Sequence, residues 1–547
     1  MTSDHARLPF RELAEVALTL SAGSHEIELP PRAVSAFGFE LAAWGFNGWV
    51  EFRHALDASE DPIFEAFVKS DLFRVDLTVA MADRDFLKGR RPPKLRLRGI
   101  ATERSMEESA CEKLDSAPVL ARRYRVEFTD PAAALWSQHF PTVLRKEASI
   151  AEMVKKLGSV GGIELAVDFD ELDPKSLHVC LPLGEGQASF RDYVLWLASS
   201  RGGCFTYDYD SCSYRLGKEK PAPKEARAIL AEPFIDLDRI RIEFPAVPRH
   251  EVRIDNAHVV RHSETLVPNA QAAEGVVRDV VIRTGVSSEV EGLAKREARR
   301  VRTPRHELVL PFLRYPDVPF QPGACVKLCG PGTSKRFGEG EDYRVLGLSL
   351  EARTAQAGPD GTSSNAPGVF EVHMLGRLEC ADDPVPRQPS ALTPSWPVLV
   401  EGKVAVDSGE ENDRLYAVVR DDTTAREYTE VTVPIWNERI RVPFQPGFVP
   451  GHFYTPLFKG QKVLLALYHE RAEIVAFLDW AEGGRLPADG QGNHLLLGRA
   501  DDAETSIQHR FVDNLPMLSV MRRMDRDSER VELSQGTIVL ETKEDEE

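Results

Sequence analysis

The segment from Gln445 to Trp480, QPGFVPGHFYTPLFKGQKVLLALYHERAEIVAFLDW, constrains the fold more than any other part of the chain. Val463 to Tyr468 and Ile474 to Leu478 read as two short apolar strands, joined by a charged turn at His469-Glu470-Arg471 and entered through a Gly/Pro-punctuated loop. Such a hairpin needs partners to cover it. Arg414 to Val419 (RLYAVV) and Glu430 to Ile435 (EVTVPI) mix β-branched and aromatic residues with turn residues at their ends, which predicts further strands of a small closed barrel.

At 547 residues the chain exceeds what one core supports, and three or four domains are expected. With 68 Lys plus Arg against 86 Asp plus Glu, the formal charge is -18, so a phosphate backbone or anionic membrane is repelled over most of the surface. Nucleic acid is therefore not an expected partner. The start, MTSDHARLPFRELAEV, carries acidic residues and no apolar stretch behind a basic one, and nowhere do 18 apolar residues run together. Assembly in the cytoplasm without a signal peptide is the expectation. The seven cysteines, Cys111, Cys180, Cys204, Cys212, Cys325, Cys329 and Cys380, form an odd set and read as reduced thiols of a protein made in a reducing cytoplasm, and no paired soft-ligand spacing for zinc accompanies them.

From Phe10 to Phe128 period-two alternation dominates, as in Leu72 to Val79 and Lys94 to Thr102, and predicts a β domain. Ser149 to Glu152 is a capping box opening a short helix; a second helix runs from Phe190 to Ser199 and stops at Gly202-Gly203, ahead of a strand at Cys204 to Tyr209. Ser288 to Glu291 is another capping box. Its helix should turn Val290, Leu293, Ala294, Ala298 and Val301 inward, leaving Arg296, Arg299, Arg300 and Arg302 to water or an acidic partner. Five prolines between Pro384 and Pro397 mark a stiff linker. In the final stretch Val531, Leu533, Ile538 and Leu540 alternate with polar residues around Gly536, and a single chain offers no second layer to cover them; Glu541 to Glu547 is a charge run expected to be disordered.

Catalytic patterns are fragmentary. Gly330 to Lys335 lacks phosphate-loop spacing, and His306-Glu307 and His469-Glu470 each lack the second histidine of a metalloprotease helix. No Gly-x-Ser-x-Gly elbow is present. The expected catalytic, cofactor and metal sites are therefore none.

Gly451, Pro456, Gly460, Val463 and the closing Ile474 to Trp480 together resemble the oligonucleotide/oligosaccharide-binding (OB) barrel of valine-glycine repeat protein G, the type VI secretion spike, and of matching phage tail spikes. SFRDYVLWLASSRGGCFTYDYD resembles a segment of the same family's hub, and Gln321-Pro322-Gly323 answers to its turn after a charged helix. The usual barrel strand of that family is only faintly matched by Val431 to Trp436. The resemblance implies a mainly β, multidomain chain: a hub at 1–380 with two tube-like β-barrels and short helices, a linker at 381–397, an OB barrel at 398–480, a short trimeric β-prism needle at 493–540 and an acidic tail at 541–547. It implies a homotrimer that docks on a hexameric tube protein and baseplate, carries effector cargo or a tip protein, pierces a target membrane mechanically, and is secreted with the machine. The spike of an extracellular contractile particle or phage tail is the alternative, and a cell-wall hydrolase on a tail spike a more distant one.

Overall fold

The structure, a computed structural model, describes residues 9–55, 61–69, 71–81, 93–111, 119–184, 186–230, 234–330, 337, 340–355, 367–410, 415–421, 426–443, 457–479, 492–499 and 503–544. The chain divides into two units. One holds Met1–Pro141, Ser149–Pro174 and Leu183–Pro394, and the other holds Thr142–Ala148, Lys175–Pro182 and Ser395–Glu547.

In the first unit eight strands close a ring. Phe10–Ala22, Phe73–Met81, Lys94–Cys111, Val119–Thr129, Gly45–Ala55, Val34–Ala42, Asp342–Thr354 and Gly368–Cys380 each pair antiparallel with the next, and the last returns to the first. Side-chain alternation sets the faces: Ala14, Val16, Leu18 and Leu20 are buried, while Glu15 and Ala17 between them are exposed. Val50, Phe52, Leu77, Leu97 and Tyr124 fill the same interior, as expected when a ring of about eight strands is just wide enough for its side chains.

The hairpin of Asp342–Thr354 and Gly368–Cys380 is longer than this barrel. Its far half pairs with Cys325–Cys329 and Glu307–Pro311, to which Arg227–Leu230 and Arg241–Glu243 add edges. A register shift between Val345 and Gly347 falls where the hairpin changes partners, consistent with a bulge bending a strand from one sheet into the next. Where two barrels are expected there is one closed ring and a second sheet sharing a hairpin with it; among the described residues the second sheet does not close.

Helices Pro131–Trp136, Ile150–Gly158 and Phe190–Arg201 form a layer with strands Leu165–Asp168, Cys204–Asp208 and Ser213–Gly217. Trp136 is its centre, with the rings of Phe190, Tyr214 and Phe205 at 5.2, 5.5 and 6.0 Å. Ser149 accepts from the Glu152 N–H as its motif predicts, and Gly202 ends the third helix at φ 67°. Buried Asp130 ties this layer to the barrel. Its carboxylate accepts from Tyr214 Oη at 2.5 Å, from the Ala133 N–H at 3.0 Å and from the Phe46 N–H at 3.2 Å. Gly45, at φ 143°, is required beside it, because a Cβ there would lie 2.2 Å from Asp130 Oδ2.

Three strands, Glu251–Asn256, Ser263–Val267 and Val277–Ile282, pack against helix Ser287–Arg300 around Val252, Ile254 and Val290. The Ser288 capping box is not formed. The N-cap falls two residues earlier, at Val286, which has no side-chain bond, and Thr284 supplies the local fixing by accepting from the Val286 N–H and donating to Glu289. Ala298 is exposed and Arg299 buried, the reverse of the expected faces. Arg299 forms a two-pronged pair with Glu171 at 2.8 and 3.0 Å and donates to the Arg201 carbonyl at 2.7 Å. Arg302 pairs with Glu219. These two cations therefore fasten the helix within the chain.

The second unit contains a sheet of Val398–Ala405, Val419–Arg420, Glu427–Val433, Glu438–Pro443, Lys462–Leu467 and Ala472–Asp479. The hairpin read from Val463 to Leu478 pairs as predicted, with two irregularities in register. RLYAVV is not a strand as a whole: among its described residues only Val419 pairs, with Tyr428. Pro443 ends the strand that completes the Glu427–Val433 hairpin. The Gly/Pro loop with Gly451 and Pro456, and the joint at 481–491, lie outside the described residues. A five-stranded antiparallel sheet follows: Asn493–Arg499, Ala503–Val512, Leu515–Met524, Asp527–Ser534 and Thr537–Lys543. Its last strand runs through Lys543, three residues into the stretch expected to be disordered, because Glu541 pairs opposite Arg530 and Thr542 opposite Glu529.

Candidate functional site

The side chains that could have carried chemistry are held in inert surroundings. Cys380 Sγ lies 3.6 Å from His306 Nδ1, and His306 Nε2 is 2.9 Å from Tyr343 Oη, an arrangement that on distance alone resembles a thiol–imidazole pair. Burial pushes the Cys380 thiol up to about 11 and holds His306 below the ordinary imidazole value. Both shifts favour the neutral pair, opposite to what a nucleophilic thiolate needs. Glu307, beside it in sequence, is committed to Arg377 and Arg387, each at 2.8 Å. His469 sits 5.1 Å from the Trp396 ring, and Glu470 accepts from Ser176 Oγ at 2.7 Å. Cys180, Cys204, Cys212, Cys325, Cys329 and Cys380 are free thiols, and among the described residues no group of three or more His, Cys, Asp or Glu could hold a metal. Gly330 is described, and the rest of its loop to Lys335 lies outside. Among the described residues no helix is long and apolar enough to cross a membrane.

An interaction surface is built instead by the five-stranded sheet. Three of its four connections are two-residue turns: Asp513-Asn514 at φ 50° and 64°, Asp525-Arg526 with Asp525 at 53°, and Gln535-Gly536 at 44° and 76°; the fourth, at 500–502, lies outside the described residues. Positive φ at both central residues is the mark of the type I′ hairpin, whose twist matches that of paired strands, and Asn, Asp and Gly tolerate it. Tight turns fix the register, and register fixes the faces. Leu495 lies opposite Ile507, Ile507 opposite Val520, Val520 opposite Val531 and Val531 opposite Leu540. One aliphatic row thus crosses all five strands. Beside it runs a second row of His509, Leu518, Leu533 and Ile538.

This apolar face is open to water. Exposure is 37% at Leu495, 42% at Val520, 38% at Val531, 40% at Leu533, 71% at Ile538 and 77% at Leu540. The opposite face carries Ser506, Gln508, Met517 and Ser519, and these are the buried ones. A soluble domain reverses that assignment, and an exposed contiguous apolar patch marks a surface used for assembly. The four positions read from sequence, Val531, Leu533, Ile538 and Leu540, share this face; the contributions of Leu495, Ile507, Leu518 and Val520 were legible only through the turns that set the register.

No family model matches this sequence, and no curated protein matches it. Solved structures do. A chain of the lidless PdpA-VgrG complex matches with a TM-score of 0.69 at 10% identity, covering 99% of this chain and 100% of that one. The half-lidded Francisella complex gives 0.69 at 11% identity, covering 97% and 88%. The fold is VgrG-like, that of a chain of the PdpA-VgrG complexes. The E. coli c3393 protein, a component of the type VI secretion system similar in structure to the T4 bacteriophage tail proteins gp27 and gp5, matches at a TM-score of 0.47, 12% identity, 84% of this chain and 99% of that one. At that score it adds nothing to the argument. Identities near a tenth establish the VgrG-like fold and leave the activity to be argued from the surfaces.

Proposed function

We propose that this chain is the homotrimeric spike of a contractile injection machine, most similar to that of type VI secretion. The observation that carries the reading is the match to a PdpA-VgrG chain over the whole length of both, hub through C-terminal sheet. The exposed aliphatic rows supply the physical reason for three copies: three such sheets wound about an axis would each cover another's apolar face. The work is mechanical. The hub would dock on a hexameric tube protein and baseplate, and the stiff trimeric sheet would lead through the target membrane when the sheath contracts. A second protein or effector cargo seated on the spike fits the same reading, since the similar Francisella structure is itself a complex. Such a spike is made in the cytoplasm and leaves with the machine.

Two measurements test this. Light scattering coupled to size exclusion at low micromolar concentration should return three times the 61.0 kDa chain mass. Cryo-microscopy of the assembled particle should place residues 1–380 at the end of the tube. A stable folded monomer, or a hub on the outside of the sheath, refutes the proposal. The particle in which it is found decides between type VI secretion and a free contractile particle or phage tail.

A further inference from the structure

We infer that the six-stranded sheet of the second unit, where a small barrel is expected from the sequence, is not an autonomous module: its core is closed by a two-stranded ribbon that the chain lends it from within the N-terminal half. The ribbon consists of Thr142–Ser149 paired with Lys175–Pro182. It lies some 220 residues before the barrel begins at Val398, and sequence order assigns it to the hub. Its packing assigns it to the barrel. Leu144 and Cys180, both fully buried, belong to one apolar cluster with Val404, Val431, Val463 and Leu465 of the barrel strands.

Polar contacts hold the ribbon in one register. The Cys180 N–H donates to the His469 carbonyl at 2.8 Å, continuing the barrel hairpin's backbone pairing. Trp396 Nε1 donates to the Cys180 carbonyl at 3.2 Å, and Trp436 Nε1 donates to the Thr142 carbonyl at 3.1 Å. Arg145 pairs with Glu438 at 2.8 Å, and Ser176 Oγ donates to Glu470 at 2.7 Å. Backbone, indole and ion-pair contacts thus fall at Thr142 and Arg145 on one strand and at Ser176 and Cys180 on the other. Burial pushes the Cys180 thiol up to about 12, as for a thiol inside a hydrocarbon core. Without the ribbon the barrel cluster would lose two of its fully buried members and expose the rest.

The consequence is topological. The covalent chain passes between the two units at 141/142, 148/149, 174/175, 182/183 and 394/395, so the Pro-rich segment is only one of five connections. Force applied to the C-terminal sheet is shared with the ribbon, and the barrel cannot be exchanged between hubs as a cassette. This holds for the chain in any assembly and does not depend on the spike reading.

The test uses the full-length protein with a protease site placed in the Pro-rich segment at Leu392, which is 58% exposed. After cleavage the two pieces should co-elute on size exclusion and separate only in denaturant. In Leu144→Asp the C-terminal piece should leave on cleavage. In uncut Leu144→Ala, hydrogen exchange should speed up by about a hundredfold in Lys462–Leu467 and Ala472–Asp479, and stay unchanged in Phe10–Ala22. Release of the C-terminal piece from the cleaved parent would overturn the inference. So would retention in Leu144→Asp, or equal exchange acceleration in Phe10–Ala22 and the barrel strands. These readouts follow strands within one chain, so they remain valid whether the protein proves trimeric or not.

Discussion

Ile538→Asp separates a covered apolar face from an open one more sharply than any other change. In a lone chain Ile538 is 71% exposed and faces Leu533 across the hairpin, so a carboxylate there meets water and should shift stability by no more than about 0.5 kcal/mol. In a trimer that covers the face, each copy forgoes roughly 2 kcal/mol of isoleucine burial and must protonate or hydrate a buried carboxylate beside two like charges. If neutralisation raises each carboxyl by about three pH units, that adds about 4 kcal/mol per copy. The total, about 6 kcal/mol per copy and near 18 kcal/mol per trimer, cancels the whole gain available from the rows themselves. Exposures along the six measured positions amount to about three whole side chains, worth about 6 kcal/mol per chain. The needle should therefore come apart at pH 7 while the hub strands keep their protection against hydrogen exchange. Lowering the pH to about 4 should partly restore the trimer, because the introduced carboxyl is then neutral. Light scattering and thermal unfolding at both pH values read this directly. A variant that stays trimeric and melts with the parent refutes the covered-face argument.

Asp130→Ala should destabilise the first unit by about 4 kcal/mol, since it removes a helix cap and strands the Tyr214 hydroxyl and Phe46 N–H; Gly45→Ala should be as severe, and chemical denaturation of either measures it. Arg299→Lys should cost about 2 kcal/mol by the same assay, because an ammonium cannot make the two-pronged contact with Glu171 and also reach the Arg201 carbonyl. His178, buried in the ribbon and faced by His469 and Glu470, has its pKa held below the ordinary value chiefly by burial. Its proton is taken up preferentially by the unfolded state, so barrel stability should be fully present above about pH 6.5 and fall as the pH drops below it; in His178→Phe the exchange rates of Ala472–Asp479 should lose that acid dependence. Cys380→Ser should leave any hydrolytic background on peptidoglycan, peptide or nucleotide unchanged, and a loss of turnover that tracks this substitution would make the Cys380–His306 pair catalytic after all.

Local signals in the sequence were reliable where the physics is local. Ser149 caps its helix, Gly202 ends another, and the Val463–Leu478 hairpin forms, because caps, left-handed stops and period-two alternation depend on a few neighbouring residues. The Ser288 box failed because Thr284, four residues earlier, offers a better hydrogen-bond acceptor and donor. Arg299 was misjudged for another reason. A guanidinium in the last turn of a helix usually faces water, and only the fold brings Glu171, 128 residues away, to meet it. The ribbon was illegible for the same reason on a larger scale: Leu144 and Cys180 look like hub residues until the barrel core closes on them. Of the exposed apolar face, period two revealed half, and the two-residue turns were needed to carry it across the last four strands.

The C-terminal sheet has a second deficit that points the same way as its face. Among the described residues Thr537–Lys543 pairs on one side only, with Asp527–Ser534, and every residue in it is exposed. An unpaired edge offers its free N–H and C=O groups to any passing strand, and proteins usually blunt such edges with charge, bulges or a cover. Here Glu541 and Lys543 put charge only at the far end, while Thr537 to Leu540 form an uncharged run of Thr, Ile, Val and Leu. A bound protein that covered the aliphatic rows alone would leave this edge open. Packing three copies around an axis brings each edge strand beside a neighbouring sheet while the rows turn inward, so one arrangement removes both deficits. That predicts a specific dependence: Thr542→Pro, which removes an N–H directed at the free edge, since register puts Thr542 in a non-hydrogen-bonded pair with Glu529, without adding charge, should weaken the trimer measurably by light scattering, yet leave the Asn493–Arg499 strand's exchange unchanged in any monomer that remains. If the proline variant assembles with parent affinity, the edge takes no part in the interface, and the aliphatic rows alone must account for assembly.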